Sequence, residues 1–191
     1  MTPRLWVDAD ACPVKPEVYR VAERHALEVV LVAASWMRVP DDPRIRLQVV
    51  AEGFDAADDA IAEGCAAGDI VITADIPLAS RVLAKGAAAI GTNGRPFTED
   101  NIGDAMATRT LLADLRGAGE VTKGPPPFAP ADRSRFLQAL ENAVQAASRA
   151  KRVRMRSRSA RENAVRASTW SSSNRRPWWN AFSTSTRWQK P

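Results

Sequence analysis

The sequence predicts an α/β protein, a three-layer, mainly parallel sheet with helices on both faces. Three observations predict it. Short runs of branched apolar residues recur through residues 1–147, most of them followed by a helical pattern. One run, Glu28 to Ala34, is continuously apolar after its first residue, as a strand covered on both faces requires. Acidic residues gather where strands end or helices begin: Asp8 and Asp10, then Asp55, Asp58 and Asp59, then Asp75.

The elements follow in order. Leu5 to Val7 reads as a short buried strand that runs into Asp8-Ala9-Asp10-Ala11-Cys12-Pro13. Pro13 and Pro16 prepare a helix start, where a fixed φ and a missing N–H cost least. Val14, Val18, Val21 and Ala22 then fall at helical spacing to about His25. Glu28 to Ala34 is the next strand, Pro40-Asp41-Asp42-Pro43 a turn, and Leu47 to Ala51 a further short strand. Asp55 to Ala67 is helical, with Ile61 and Cys65 one turn apart and Gly68 as its stop. Ile70 to Thr73 is a buried strand that ends at Ala74-Asp75. Leu78 to Lys85 is a helix stopped by Gly86, and Ala87 to Ile90 is the last strand before the loop from Gly91 to Pro96. Thr98-Glu99-Asp100 opens a helix whose apolar side, Ile102, Met106, Leu112 and Leu115, is interrupted from Thr108 to Thr110; Gly117 and Gly119 end it. A stiff connector at Gly124 to Pro127 leads to the cleanest amphipathic stripe, Phe136, Leu140, Ala143, Val144 and Ala147, expected to pack on the sheet and close the domain.

The charge is uneven. Residues 1–148 hold 15 Lys and Arg against 21 Asp and Glu, net −6, whereas residues 149–191 hold 12 Lys and Arg against Glu162 alone, net +11. The sequence therefore divides into an acidic α/β domain, 1–147, and a basic tail, 148–191, that carries Trp170, Trp178, Trp179 and Trp188. Such a tail reads either as an arm for nucleic acid, with Arg for phosphates and Trp for stacking, or as a segment too poor in apolar surface to order itself; disorder is the expectation. Cys12 and Cys65 lack the spacing of a zinc site and are too few for a disulfide scaffold. No secretory signal is visible, and the longest apolar stretch, Val29 to Ala34, is far shorter than a membrane span. A cytoplasmic protein with no membrane partner is expected.

In a parallel sheet every strand-to-helix junction lies on one edge, so Asp8, Asp10 and Asp75 are neighbours if their strands are adjacent. Asp58, in the first turn of a helix leading to the Asp75 strand, reaches the same crevice. Crowded carboxylates raise each other's pKa, and a hard cation such as Mg²⁺ or Mn²⁺, which prefers oxygen ligands, neutralises them. Each acid also has a structural reading: Asp10, Asp55 and Asp75 as helix caps, Asp58 as a first-turn acid beside the helix dipole, Asp59 as a solvated face. His25, the only histidine, reads as a helix C-terminal residue, and Cys12 as a small buried residue behind the Asp loop.

Three segments carry a family resemblance: Val7-Asp8-Ala9-Asp10-Ala11-Cys12-Pro13, Phe54-Asp55-Ala56-Ala57-Asp58-Asp59, and Asp69 to Ala79 with Thr73-Ala74-Asp75 and Pro77; Gly124 to Phe128 also fits. Over about residues 4–145 the chain resembles the YaiI/YqxD family of bacterial proteins, which has a PIN-like fold. The wider group includes NYN ribonucleases and flap-type 5′ nucleases. Ala57-Asp58-Asp59 is similar to the Glu-Ala-Asp-Asp motif of the latter, Thr73-Ala74-Asp75 to their Thr-Gly-Asp, and Asp8 matches the group's strand-end aspartate. Ala56 stands where those nucleases carry a metal-binding Glu and Pro77 where they carry a further Asp, so the resemblance implies a single, weakly held metal.

The resemblance and the acidic edge together imply a divalent-metal-dependent nuclease acting on RNA or DNA. Asp8, Asp10, Asp59 and Asp75 would hold Mg²⁺ or Mn²⁺, with Asp58 assisting, and Lys15, Arg81, Lys85, Asn93 and Arg95 are candidate phosphate contacts near the same edge. Each of these basic residues also reads as a solvated surface charge. Non-catalytic nucleic-acid binding on the same fold is the alternative. A third reading takes Asp8-x-Asp10 as similar to the haloacid-dehalogenase phosphatases, with Asp8 as nucleophile, Asp10 as acid/base, Thr73 as hydroxyl and Lys85 as lysine; the later acidic metal pair of that family is missing.

Overall fold

The computed structural model describes residues 2–10, 12–51, 53, 55–118 and 128–173. The strands are β1 (Leu5–Asp8), β2 (Val29–Ala33), β3 (Ile45–Val49), β4 (Ile70–Ile72), β5 (Ala88–Ile90) and β6 (Pro96–Phe97). The helices are α1 (Lys15–His25), α2 (Ala56–Gly64), α3 (Ile76–Ala84), α4 (Glu99–Gly117) and α5 (Pro130–Ser173). The strands form one sheet in the order β3-β2-β1-β4-β5-β6. All pairings are parallel except β5 with β6. The antiparallel β6 is an addition to the expected pattern: a two-residue strand at Pro96–Phe97 is too short for periodicity to reveal.

Alternation along the strands separates two cores. On one face Leu5, Val7, Val29, Leu31, Ile70 and Ile72 pack against Val18, Val21 and Ala22 of α1 and Phe136, Leu140 and Val144 of α5. On the other, Trp6, Val30, Val32, Val71 and Ala89 pack against Ile61 and Ala62 of α2 and Leu78, Ala79 and Val82 of α3. β1, β2 and β4 bury both faces, which is why they read as unbroken apolar runs. Each fully buried Val, Leu, Ile or Phe among them contributes about 1.5–3 kcal/mol.

The chain leaves β1 through α1 to β2, continues outward to β3, and returns over the opposite face through α2 to β4. The direction of winding therefore reverses between β1 and β4, and at such a switch point the strand ends splay and leave a crevice at the carboxyl edge. The β2–β3 connection, residues 34–44, is a parallel crossover without a helix; Pro40 and Pro43 forbid one, and Met37 and Val39 pack it against the first core.

The chain divides into two compact units, residues 1–151 and 152–191. α5, expected to end near Ala147, stays helical to Ser173; Ala, Arg and Met over 148–156 are good helix formers even without an apolar stripe. The connector at 124–127 and the tail beyond Ser173 lie outside the described residues. No helix among the described residues is long and apolar enough to cross a membrane.

Candidate functional site

The site is built where the winding reverses. β1 pairs with β4 in the register Val7 with Ile72, so the next residues, Asp8 and Thr73, stand side by side at the carboxyl edge. Thr73 is 1% exposed. Its Oγ1 donates to Asp8 Oδ2 at 3.1 Å and accepts from the Asp75 N–H at 2.9 Å. One hydroxyl thereby links the first strand's aspartate to the loop carrying the second.

Asp75 caps α3: its Oδ1 accepts from the Leu78 N–H at 2.8 Å. Its Oδ2 stands 3.6 Å from Arg109 Nη2 on α4. Asp10 caps no helix. Its Oδ2 accepts from the Ala34 N–H at 2.9 Å and ties the segment after β1 to the end of β2. Asp55 occupies the N-cap position of α2 at φ 64° with no side-chain capping bond.

The electrostatics record the crowding. Burial pushes the Asp8 carboxyl above its ordinary value, and the charges of Asp10 and Asp75 push it further, against the Thr73 hydrogen bond and Lys15. The Asp58 carboxyl is raised to about 6, first by burial, then by the charges of Asp75, Asp8 and Asp55. Five carboxylates, Asp8, Asp10, Asp55, Asp58 and Asp75, thus act on one another at one rim, and a crevice of about 270 Å³ beside them is lined by residues that include Asp10, Ala34, Ala51, Asp55 and Asp58.

Of the adjacent acids on α2, Asp58 faces Asp8 and Asp75, whereas Asp59 pairs with Arg81 at 2.7 Å. Lys15 lies at the rim, its Nζ donating to the Ala9 carbonyl at 2.6 Å. Arg81 is taken up by Asp59. Lys85 does not lie near this edge: α3 runs back across the sheet, and its C-terminal lysine donates to the Ala62 carbonyl at the end of α2. That placement also leaves the phosphatase reading without its lysine. Asn93 and Arg95 sit in the turn after β5, where Asn93 Oδ1 accepts from the Arg95 N–H at 3.0 Å. Arg109 was not anticipated; it falls inside the break at Thr108 to Thr110 in the apolar side of α4, the one signal that could have found it.

Asp69 is an acid of the opposite kind. It is 5% exposed and accepts from the Arg4 N–H and guanidinium, from Trp6 Nε1 and from the Ala66 N–H. Its four bonds, one to Oδ1 and three to Oδ2, hold the amino edge together. His25 ends α1 and meets Glu141 of α5 at 2.7 Å, a tie between elements. Burial raises the thiols of Cys12 and Cys65, which keeps them neutral.

The donor chemistry at the rim suits a hard divalent cation, since all the donors are oxygens and the carboxylates outnumber the cations beside them, Arg109 and Lys15. Among the described residues, however, no three His, Cys, Asp or Glu side chains approach closely enough to enclose an ion. The arrangement fits the Mg²⁺ manner of binding, with one or two carboxylates and the remaining positions filled by water or phosphate, and not a closed cage.

The sequence profile described as "Uncharacterized BCR, YaiI/YqxD family" matches residues 6–146. A "UPF0178 protein" of Rhodopseudomonas palustris (strain TIE-1) is 59% identical over 142 residues, 74% of this chain and 90% of the relative. One of Bradyrhizobium sp. (strain ORS 278) is 54% identical over 155 residues, 81% and 94% of the two chains. One of Caulobacter vibrioides is 57% identical over 150 residues, 78% and 98%. No solved structure matches the chain.

Proposed function

The chain belongs to the YaiI/YqxD family, and from that premise and the geometry of the rim we propose that it is a divalent-metal-dependent nuclease that hydrolyses phosphodiesters of RNA or DNA. The observation that carries the reading is the convergence of Asp8, Asp10, Asp58 and Asp75 at the switch point, with Asp8 and Asp58 both raised by their neighbours. A bound Mg²⁺ or Mn²⁺ supplies Lewis-acid stabilisation of the phosphodiester oxygens and lowers the pKa of a water. The residues do the rest. Asp8 and Asp75 would hold the cation, and the Thr73 hydroxyl, which donates to Asp8 and accepts from the Asp75 N–H, fixes the Asp8 carboxylate. Asp10, whose Oδ2 is held by the Ala34 N–H, would reach the cation through a water rather than directly. Asp58, raised to about 6, is mostly ionised at neutral pH yet more basic than an ordinary carboxylate, and can take the proton of an attacking water. Arg109 and Lys15 flank the carboxylates and accept phosphate charge as it approaches.

The test is cleavage of single-stranded and structured RNA and DNA with Mn²⁺. Asp8→Asn and Asp75→Asn are expected to lower the rate at least about 100-fold, given that changes one layer out from a metal already cost 10–100-fold. Cleavage that survives both substitutions, or a chelator, overturns the reading. Nucleic-acid binding without turnover is the second reading, and the observation that favours it is the lack of three close ligands among the described residues.

A further inference from the structure

We propose that Trp36, in the loop that leaves β2, is a stacking platform for an unpaired base, so that the strand presented to the carboxylate rim is single-stranded nucleic acid. The inference rests on the nucleic-acid reading above and narrows its substrate class.

Trp36 is 76% exposed, the most exposed of the large apolar side chains among the described residues. An exposed indole presents a wide, flat π-face to solvent, and what it can do depends on where it stands. Ala34, two residues earlier, lines the crevice and donates its N–H to Asp10. Two residues span at most about 7 Å, so the Trp36 backbone lies within about one nucleotide's length of Ala34 at the crevice.

The neighbours of Trp36 select the occupant. Ser35 and Arg38 are exposed, and Arg38 forms no ion pair with a described residue. A protein partner requires a contiguous apolar core of roughly 800 Å² per side, which one indole set among polar residues does not provide. A nucleobase needs one aromatic face and a cation for the adjoining phosphate, which Trp36 and Arg38 provide. The pair also answers an electrostatic problem: a polyanion approaching a rim of aspartates is repelled unless contacts beside the rim hold it. Bases within a duplex have no free π-face, so the platform discriminates against paired strands.

The experiment uses the full chain with fluorescently labelled ten-nucleotide oligothymidine and oligouridine, and a duplex of equal length, in EDTA at physiological salt. Trp36→Ala is expected to weaken single-strand binding about tenfold, the scale of one base–aromatic stack, with duplex binding unchanged. Trp36→Phe, which keeps a π-face, is expected to restore most of the loss, and the two oligonucleotides separate a deoxyribose from a ribose preference. Unchanged single-strand binding in Trp36→Ala, an equal loss on duplex, absence of any binding by the wild type, or a wild-type dimer that Trp36→Ala dissociates in sedimentation each overturns the proposal. Mn²⁺-dependent cleavage alongside an unchanged Trp36→Ala affinity sinks this inference alone. A Trp36-dependent affinity with no cleavage by any form sinks the nuclease reading alone.

Discussion

Asp58 and Asp69 show how one residue type serves opposite ends in this chain. Asp69 is ringed by donors, and its charge is fully answered. Asp58 has other carboxylates for neighbours, and its pKa is raised from 3.8 to about 6. A raised folded value means that the fold favours the protonated form. That contribution is fully present below about pH 4 and is lost as pH rises through about 6. Asp58→Asn, neutral at every pH, is therefore expected to melt higher than wild type at pH 8 by about 2–4 °C, corresponding to a gain on the order of 1 kcal/mol after solvent screening of a half-exposed site. At pH 3.5 the two should melt together. Calorimetry at the two pH values checks this, and a variant that melts lower at pH 8 contradicts the crowding described for the rim.

Between elements the backbones are fitted closely together, as the turn after β5 shows. The turn after β5 is seated on α5: Gly94 has φ 78°, and a Cβ there would lie 2.5 Å from Phe136 N and 2.6 Å from Arg135 C, both backbone atoms. Arg135 Nη1 also donates to the Asn93 carbonyl at 3.2 Å. Neither the left-handed backbone nor the helix can give way to a methyl group. Gly94→Ala is expected to cost about 2 kcal/mol or more and to lower the melting temperature by about 4–8 °C. Gly103→Ala, in α4 with nothing within 4 Å of the added Cβ, is expected to stabilise slightly, since alanine is the better helix former. Thermal melts of the two variants separate the effect of the contact from that of glycine as such.

Across the whole molecule, acid and base are segregated along the chain, net −6 over residues 1–148 and net +11 over 149–191. The family profile ends at residue 146, before the basic segment. Binding of a polyanion by the basic segment is dominated by counterion release and falls steeply with salt. Ending the chain after Lys151 is expected to flatten the slope of log affinity against log salt for any nucleic acid, while Mn²⁺-dependent cleavage per bound strand is retained. An unchanged slope would exclude the basic segment from binding.

Much of this was legible in the sequence for a local reason. The buried strands from Leu5, Val29 and Ile70, the helices between them and the acids at their ends follow from periodicity and from the chemistry of helix starts, which depend on residues a few positions apart. β6 escaped because two residues carry no period, and the length of α5 because helix propensity can act without an apolar stripe. What the chain could not state locally is which strand lies beside which. The order β3-β2-β1-β4 brings Asp8 to Thr73 and Asp75, turns Asp58 rather than Asp59 toward them, and sends Lys85 to the far edge. Sequence determined the kinds of element and the residues at their ends; tertiary packing decided the neighbours, because alternation and crossover direction are properties of the assembled sheet and of no single segment.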